Sequence, residues 1–261
     1  LAAPAEHEGI AALEPHDVAS RPGRLQGPGL ELVLCGLGPA RHLACDAQLT
    51  GAERQDVGRH QPVGEHQVGP CDGLVGRHGE PAGGVRYRGD GVDDPLSERG
   101  WAQMWAAVGE CSDWTHVLSS PLRRCRGFAE AVAERYRLPL VVDERFREMG
   151  FGAWEGRRHE EVRDADPDAY FAFFRDAVNH GPPGSEPLDK FYARVRSGIM
   201  AVFDEHTEGH ILLVCHLGVM RAATALALEM PLSALYRMHA PYAGRIRLRR
   251  TARGIELWFG H

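Results

Sequence analysis

From about residue 73 onward, short apolar runs alternate with segments of helical spacing, and each run stops at a polar, chemistry-bearing residue. No other feature of the chain constrains its fold as much. Thr115–Ser119, Leu140–Val142 and His210–Cys215 have the length and apolarity of buried strands. Between them, Ser97 is placed to cap a helix running to Cys111, in which Trp101, Met104, Trp105 and Val108 recur on one face. Ser120-Pro121 reads as the start of a helix over Leu122–Arg137, and further helical patterns cover Pro167–Val178, Leu188–His206 and Leu217–Glu229. Gly244–Leu248 and Ile255–Phe259 alternate as an antiparallel hairpin does. Strands that alternate with helices build a mostly parallel central sheet covered on both faces, so the fold class is α/β, a three-layer α/β/α sandwich.

Residues 1–72 are of a different texture. They are rich in Gly, Pro, His, Ala and Gln, and only Leu30–Cys35 reads as a strand. Such a segment buries little apolar area against its ordering entropy. It is therefore expected to be a disordered or non-native extension, as a misassigned start codon would produce, with the folded domain at 73–261. His7, His16, His42, His60 and His66 are spaced too irregularly to suggest a metal site. The six cysteines show no C-x-x-C spacing, which points to a reducing cytoplasm rather than a disulfide framework. A net charge of -6 argues against a nucleic-acid partner, and no apolar run is long enough to span a membrane. The tail Ile246–Phe259 is a candidate dimerisation hairpin.

In a parallel sheet the ligand lies beyond the carboxyl ends of the strands. After Leu74-Val75 comes Arg77-His78-Gly79-Glu80; after Val117-Leu118 comes Ser119-Ser120-Pro121-Leu122-Arg123-Arg124; after Val214-Cys215 comes His216-Leu217-Gly218. Two imidazoles and at least two guanidinium forks thus converge on one rim, beside helix N-termini that favour anions. A tetrahedral dianion fits that set best. Each piece alone is weak: Arg-His also occurs at Arg41-His42, Arg59-His60 and Arg158-His159, and a Ser-Ser-Pro is usually only a cap. Their order at successive strand ends carries the argument.

Residues 77–261 resemble the histidine phosphatase superfamily, the phosphoglycerate-mutase-like fold. Five ordered segments carry the resemblance: Arg77-His78-Gly79-Glu80, Ser119 through Arg124, Phe146 through Gly156, Pro183-Gly184-Ser185-Glu186 and Val214-Cys215-His216. Asp93 through Gly100 is similar to the family's lead into its first helix. The resemblance implies that neutral His78 attacks phosphorus in line, that Arg77, Arg124 and His216 hold the non-bridging oxygens, and that Glu148 protonates the leaving oxygen and then activates water. Phe146, Phe151 and Trp154 would partly shield that carboxyl. Neither metal nor organic cofactor is called for.

Among functions, the short core and the Gly-Ala-Trp-Glu-Gly segment resemble the phosphatase branch, including α-ribazole phosphatases. The expected partner is a small phosphomonoester, with α-ribazole 5′-phosphate as the first substrate to try. Mutase-type phosphoryl transfer and a non-catalytic phosphate-binding module are the alternatives. Glu155 is a second candidate for the acid. Arg123 and Arg221 read as solvent-facing or salt-bridged, and Cys215 as core. The chain departs from the family at Cys125, Phe128 and Leu217, and in the first strand, where Cys71–Gly76 holds two glycines and an aspartate. Such a strand pairs weakly.

Overall fold

The computed structural model describes residues 31–35, 75–109, 113–206 and 208–259. One sheet organises them. Its strands are β1 (Glu31–Cys35), β2 (Val75–Gly76), β3 (Trp114–Ser119), β4 (Leu140–Val142), β5 (His210–Val214), β6 (Arg245–Thr251) and β7 (Gly254–Phe259). From β6 the order is β6-β1-β5-β3-β4, and β2 and β7 also pair with β6. β1, β5, β3 and β4 run parallel, while β2 and β7 pair antiparallel with β6. Among the described residues, no helix is long and apolar enough to cross a membrane.

Helices α1 (Glu98–Val108) and α2 (Arg123–Tyr136) cover one face, and α5 (Leu188–Glu205) and α6 (Leu217–Leu228) the other. The strand period of two explains both layers. In β5, Leu212 and Val214 join the core under α1 and α2, whereas Ile211 and Leu213 join the core under α5 and α6. On α5, Leu188, Phe191, Val195, Ile199 and Val202 form one buried stripe at helical spacing. Short helices α3 (His159–Ala165) and α4 (Pro167–Arg175) lie between the sheet layers' connections; α3 falls outside the predicted helices, and α4 ends three residues before Val178. Ser97 caps α1 as expected, accepting from the Gly100 amide at 3.0 Å. For α2, the cap comes from elsewhere: Asp93 Oδ1 accepts from the Arg123 amide at 2.7 Å, and Leu122 occupies the cap position.

The first strand differs from expectation. Glu31–Cys35 lies between β5 and β6, with Glu31, Leu32 and Val33 opposite His210, Ile211 and Leu212. This segment, which precedes the expected 73–261 domain, pairs with both β5 and β6. Leu34 and Cys35 register with Ile246 and Arg245 of β6, and Val75 and Gly76 register with those same two residues. Two segments therefore share one lane. Arg77 then bridges Cys215 in parallel fashion at the carboxyl end. The apolar sequence Leu-Val-Leu supplies what the glycine-bearing Cys71–Gly76 lacks. The remaining expectations for residues 1–72, the five histidines included, lie outside the described residues.

A chain starting at Leu74 loses β1 and leaves only the short β2 to pair β6 at the carboxyl end of that lane. Its melting temperature should fall on the order of 10 °C below that of the full chain. A chain in which Cys35 is joined directly to Arg77 keeps one continuous strand in that lane and should melt no lower than the full chain. Equal melting temperatures for the full chain and the Leu74 start would show that β1 contributes nothing.

Candidate active site

Backbone bonds set the rim. The His78 amide donates to Cys215 O at 3.0 Å, the Arg77 amide to Gly244 O at 3.0 Å, and the Ala243 amide to His78 O at 3.2 Å. Arg77-His78 is thereby fastened to the end of β5 and to the loop before β6. On its far side the segment touches α1 through two glycines. A β-carbon on Gly79 would stand 2.2 Å from Gly100 O, and one on Gly100 would stand 2.1 Å from Glu80 O. Only hydrogen at both positions allows this approach.

His78 is 7% exposed. Its Nδ1 lies 2.8 Å from Gly79 O. A carbonyl only accepts, so Nδ1 carries the proton and Nε2 keeps its lone pair. Burial, then the Arg124 and Arg77 charges, holds its pKa well below the usual histidine value. His216 is fully buried in edge contact with His78, their ring centroids 5.3 Å apart. Its Nε2 lies 2.7 Å from Ser120 Oγ, and the Cys125 thiol packs 3.5 Å from the same nitrogen. Burial and Arg124 also hold its pKa well down. Both rings are neutral near pH 7.

Arg124 heads the buried stripe of α2 and is oriented by the loop before α1, its Nη1 donating to Val92 O at 3.0 Å and its Nη2 to Gly89 O at 2.8 Å. Arg77 donates through Nη1 to Ala240 O at 2.6 Å, with its guanidinium 4.0 Å above the Tyr242 ring. Among the described residues, the Nε atoms of Arg77, Arg86 and Arg124 are buried without an acceptor. A buried donor left unpaired costs about 1–3 kcal/mol.

Glu148 faces them from the opposite wall. Its Oε1 accepts from the Met149 amide at 3.0 Å and its Oε2 from the Gly218 amide at 3.3 Å. A β-carbon on Gly218 would stand 2.1 Å from Glu148 Oε1, so the carboxylate occupies the space that a side chain would need. Behind it, Arg194 donates to Arg145 O, Arg147 O and Glu148 O, and to both oxygens of Glu186 at 2.7 Å. This clamp links the Pro183–Glu186 loop to the backbone of the acid.

Arg77, His78, Arg124 and Glu148 line one cavity of about 430 Å³. His216 does not reach its wall and stands behind His78. Tyr87, Phe151, Tyr170, Phe174, Tyr236 and Tyr242 make the rest of the lining largely aromatic. Glu155 stays outside: its carboxylate accepts from the Phe151 amide at 2.8 Å and the Gly91 amide at 2.9 Å, tying together two loops of the rim. Arg123 is exposed, as expected. Arg221, expected to be solvent-facing or salt-bridged, lines the cavity instead. Sequence reasoning missed Arg194, Gly218 and Tyr242. The only hint was the Glu186 motif, which leaves open what Glu186 holds.

The model for the Histidine phosphatase superfamily (branch 1) matches residues 74–258. A bifunctional protein of Mycobacterium tuberculosis is 33% identical over 174 residues, which are 65% of this chain and 48% of that protein. The chain thus spans about half the length of the mycobacterial relatives it matches. The adenosylcobalamin/alpha-ribazole phosphatase of Salmonella typhimurium is 31% identical over 164 residues, covering 61% of this chain and 81% of that one. Among solved structures, a mycobacterial glucosyl-3-phosphoglycerate phosphatase superposes with a TM-score of 0.63 at 26% identity, over 71% of this chain and 96% of that one.

Two outcomes follow from this geometry. Gly218→Ala should push the Glu148 carboxylate aside and lower kcat on the order of 100-fold, with the melting temperature within a few degrees of the parent; an unchanged kcat would mean that the carboxylate's position is immaterial. His78 and His216 are buried neutral, so below about pH 6.5 the unfolded chain binds protons that the folded chain does not. Their stability contribution is full above that pH and lost on acidification, by up to about 1.4 kcal/mol per pH unit for each ring. Urea melts from pH 7.5 to 4.5 read this slope, and His216→Gln should make it shallower.

Proposed function

The chain belongs to the histidine phosphatase superfamily, and we propose that it hydrolyses a small phosphomonoester through a phosphohistidine formed on His78. The observation that carries this reading is His78 itself. It is neutral, its Nδ1 is committed to Gly79 O, and Nε2 is free beside Arg77 and Arg124 and across the cavity from Glu148.

In the first step the Nε2 lone pair forms a bond to phosphorus as the bond to the alcohol oxygen breaks, and Glu148 gives that oxygen its proton. In the second, Glu148 takes a proton from water, whose oxygen attacks phosphorus and releases Nε2 with its electron pair. Arg77 and Arg124 hold the non-bridging oxygens through both transfers, since phosphoryl transfer depends mainly on positioning and charge. His216, expected from the sequence on the same oxygens, instead braces the His78 ring edge-on from behind the cavity wall. Gly79 O keeps the attacking tautomer in place. The alcohol leaves toward the aromatic wall.

For the substrate, similarity to alpha-ribazole phosphatases makes α-ribazole 5′-phosphate the first ester to assay. Release of inorganic phosphate, with no transfer to an added sugar or glycerate acceptor, separates hydrolysis from mutase chemistry. p-Nitrophenyl phosphate should be hydrolysed by the full chain, and His78→Ala should lower kcat by at least 10⁴-fold, in keeping with loss of a nucleophile. An alkaline denaturing quench of the turning-over enzyme should trap phosphate on histidine, because that N–P bond survives base; its phosphorus resonance should be absent in His78→Ala. Folded protein that binds phosphate without turnover would instead make it a recognition module.

A further inference from the structure

Arg124 is aimed by a turn that belongs to no strand or helix. Residues 89–92 supply both carbonyls that receive its fork, Gly89 O and Val92 O. A guanidinium takes its direction from the acceptors that hold it, so whatever fixes this turn fixes the fork. The chain is secured on both sides of the turn. Before it, the Tyr87 amide donates to Arg157 O at 2.9 Å and the Gly156 amide to Tyr87 O at 2.8 Å. After it, Asp93 Oδ1 caps α2 through the Arg123 amide. Within it, the Val92 amide closes on Arg88 O at 3.0 Å.

Between those anchors Glu155 grips the turn. Its Oε2 accepts from the Gly91 amide at 2.9 Å, and its Oε1 from the Phe151 amide at 2.8 Å. The fit is close, because a β-carbon on either Gly89 or Gly91 would collide with that carboxylate. Phe151 stands three residues after Glu148. Gly150, between them, packs against Asp90 of the turn: a β-carbon there would stand 2.8 Å from Asp90 Oδ1. Glu155 therefore joins the turn behind Arg124 to the segment that carries the acid, while itself standing outside the cavity.

We propose that Glu155 is a positioning residue for Arg124: its carboxylate ties the 89–92 turn to the Glu148 segment and so holds the guanidinium on the phosphate. This rests on the phosphatase reading, in which Arg124 holds the non-bridging oxygens, and adds to it a residue that touches no substrate. A carboxylate accepts at both oxygens, whereas a side-chain amide accepts at one end and donates at the other. Glu155→Gln therefore keeps the volume but sets its NH2 against a main-chain N–H, and one of the two segments is released. The anchors at Tyr87 and Asp93 remain, so the turn loosens while the fold persists.

The test is a calorimetric titration with inorganic phosphate on the full chain, Glu155→Gln, Arg124→Lys and the double variant. Lysine keeps a cation at position 124 but offers no fork for the turn to aim. Glu155→Gln should weaken phosphate binding about 10-fold and raise KM for p-nitrophenyl phosphate with it, at a melting temperature within a few degrees of the parent. In the Arg124→Lys background the same change should weaken binding by under about twofold. Gly91→Ala, whose β-carbon displaces the carboxylate from the other side, should reproduce the weakening. Should Glu155→Gln fail to fold, Gly91→Ala completes the same cycle with Arg124→Lys. Undiminished phosphate affinity in the folded variants, or an equal loss with and without the Arg124 fork, overturns the proposal. A full chain that binds phosphate but turns over no p-nitrophenyl phosphate defeats the phosphatase reading alone, and the titration still reads whether Glu155 acts through Arg124.

Discussion

The backbone bond from His78 to Cys215 O joins a cavity-lining imidazole to a strand more than a hundred residues away, and the rest of the site is arranged around that junction. β5 is buried on both faces and paired on both edges, which makes its carboxyl end the most constrained point of the sheet. His216 follows the same strand directly. Both imidazoles thus inherit their positions from main-chain geometry rather than from flexible side-chain contacts. The same scaffold sets their protonation: both rings are buried, and the neighbouring Arg124 opposes a further positive charge.

Charge imbalance is the second organising constraint. Fixed cations outnumber the acids around the cavity, and several guanidinium Nε atoms lack acceptors. The arginines are held open by main-chain carbonyls of Val92, Gly89, Ala240 and Met238, which orient a fork without cancelling its charge. Carboxylates that might have quenched the site are otherwise engaged. Glu155 accepts from backbone amides and Asp94 serves Arg86 and Arg88. The folded protein thus holds an excess of positive charge around the cavity.

What could be read from the sequence follows from how local each signal is. The strand–helix alternation, the Ser97 cap and the strand ends bearing His78, Arg124 and His216 depend on neighbours a few residues apart, and they stand where the pattern put them. Arg194, Gly218 and Arg221 depend on partners from other segments: Arg194 reaches Glu148 O, Gly218 accommodates its carboxylate, and Arg221 turns into the cavity because α6 presents that face to Tyr236. No spacing encodes such pairings. His216 was legible as a strand-end histidine, yet its retreat behind His78 came from the packing of Ser120 and Cys125. The first strand is less local: both Glu31–Cys35 and Val75–Gly76 register with β6, a pairing that no spacing within either segment encodes.

The aromatic wall has a separate origin from the rim. Tyr170 and Phe174 come from α4, His159 from α3, and Tyr236 from a short 3-10 helix, Leu232–Arg237, whereas His78 and His216 follow strand ends and Arg124 lies in the first turn of α2. Chemistry and selectivity are therefore written in different parts of the chain. Substitutions across 159–175 can reshape what the pocket admits while the reacting groups keep their mutual geometry. A lineage built on this plan is free to wander among substrates without ever having to reinvent its reaction.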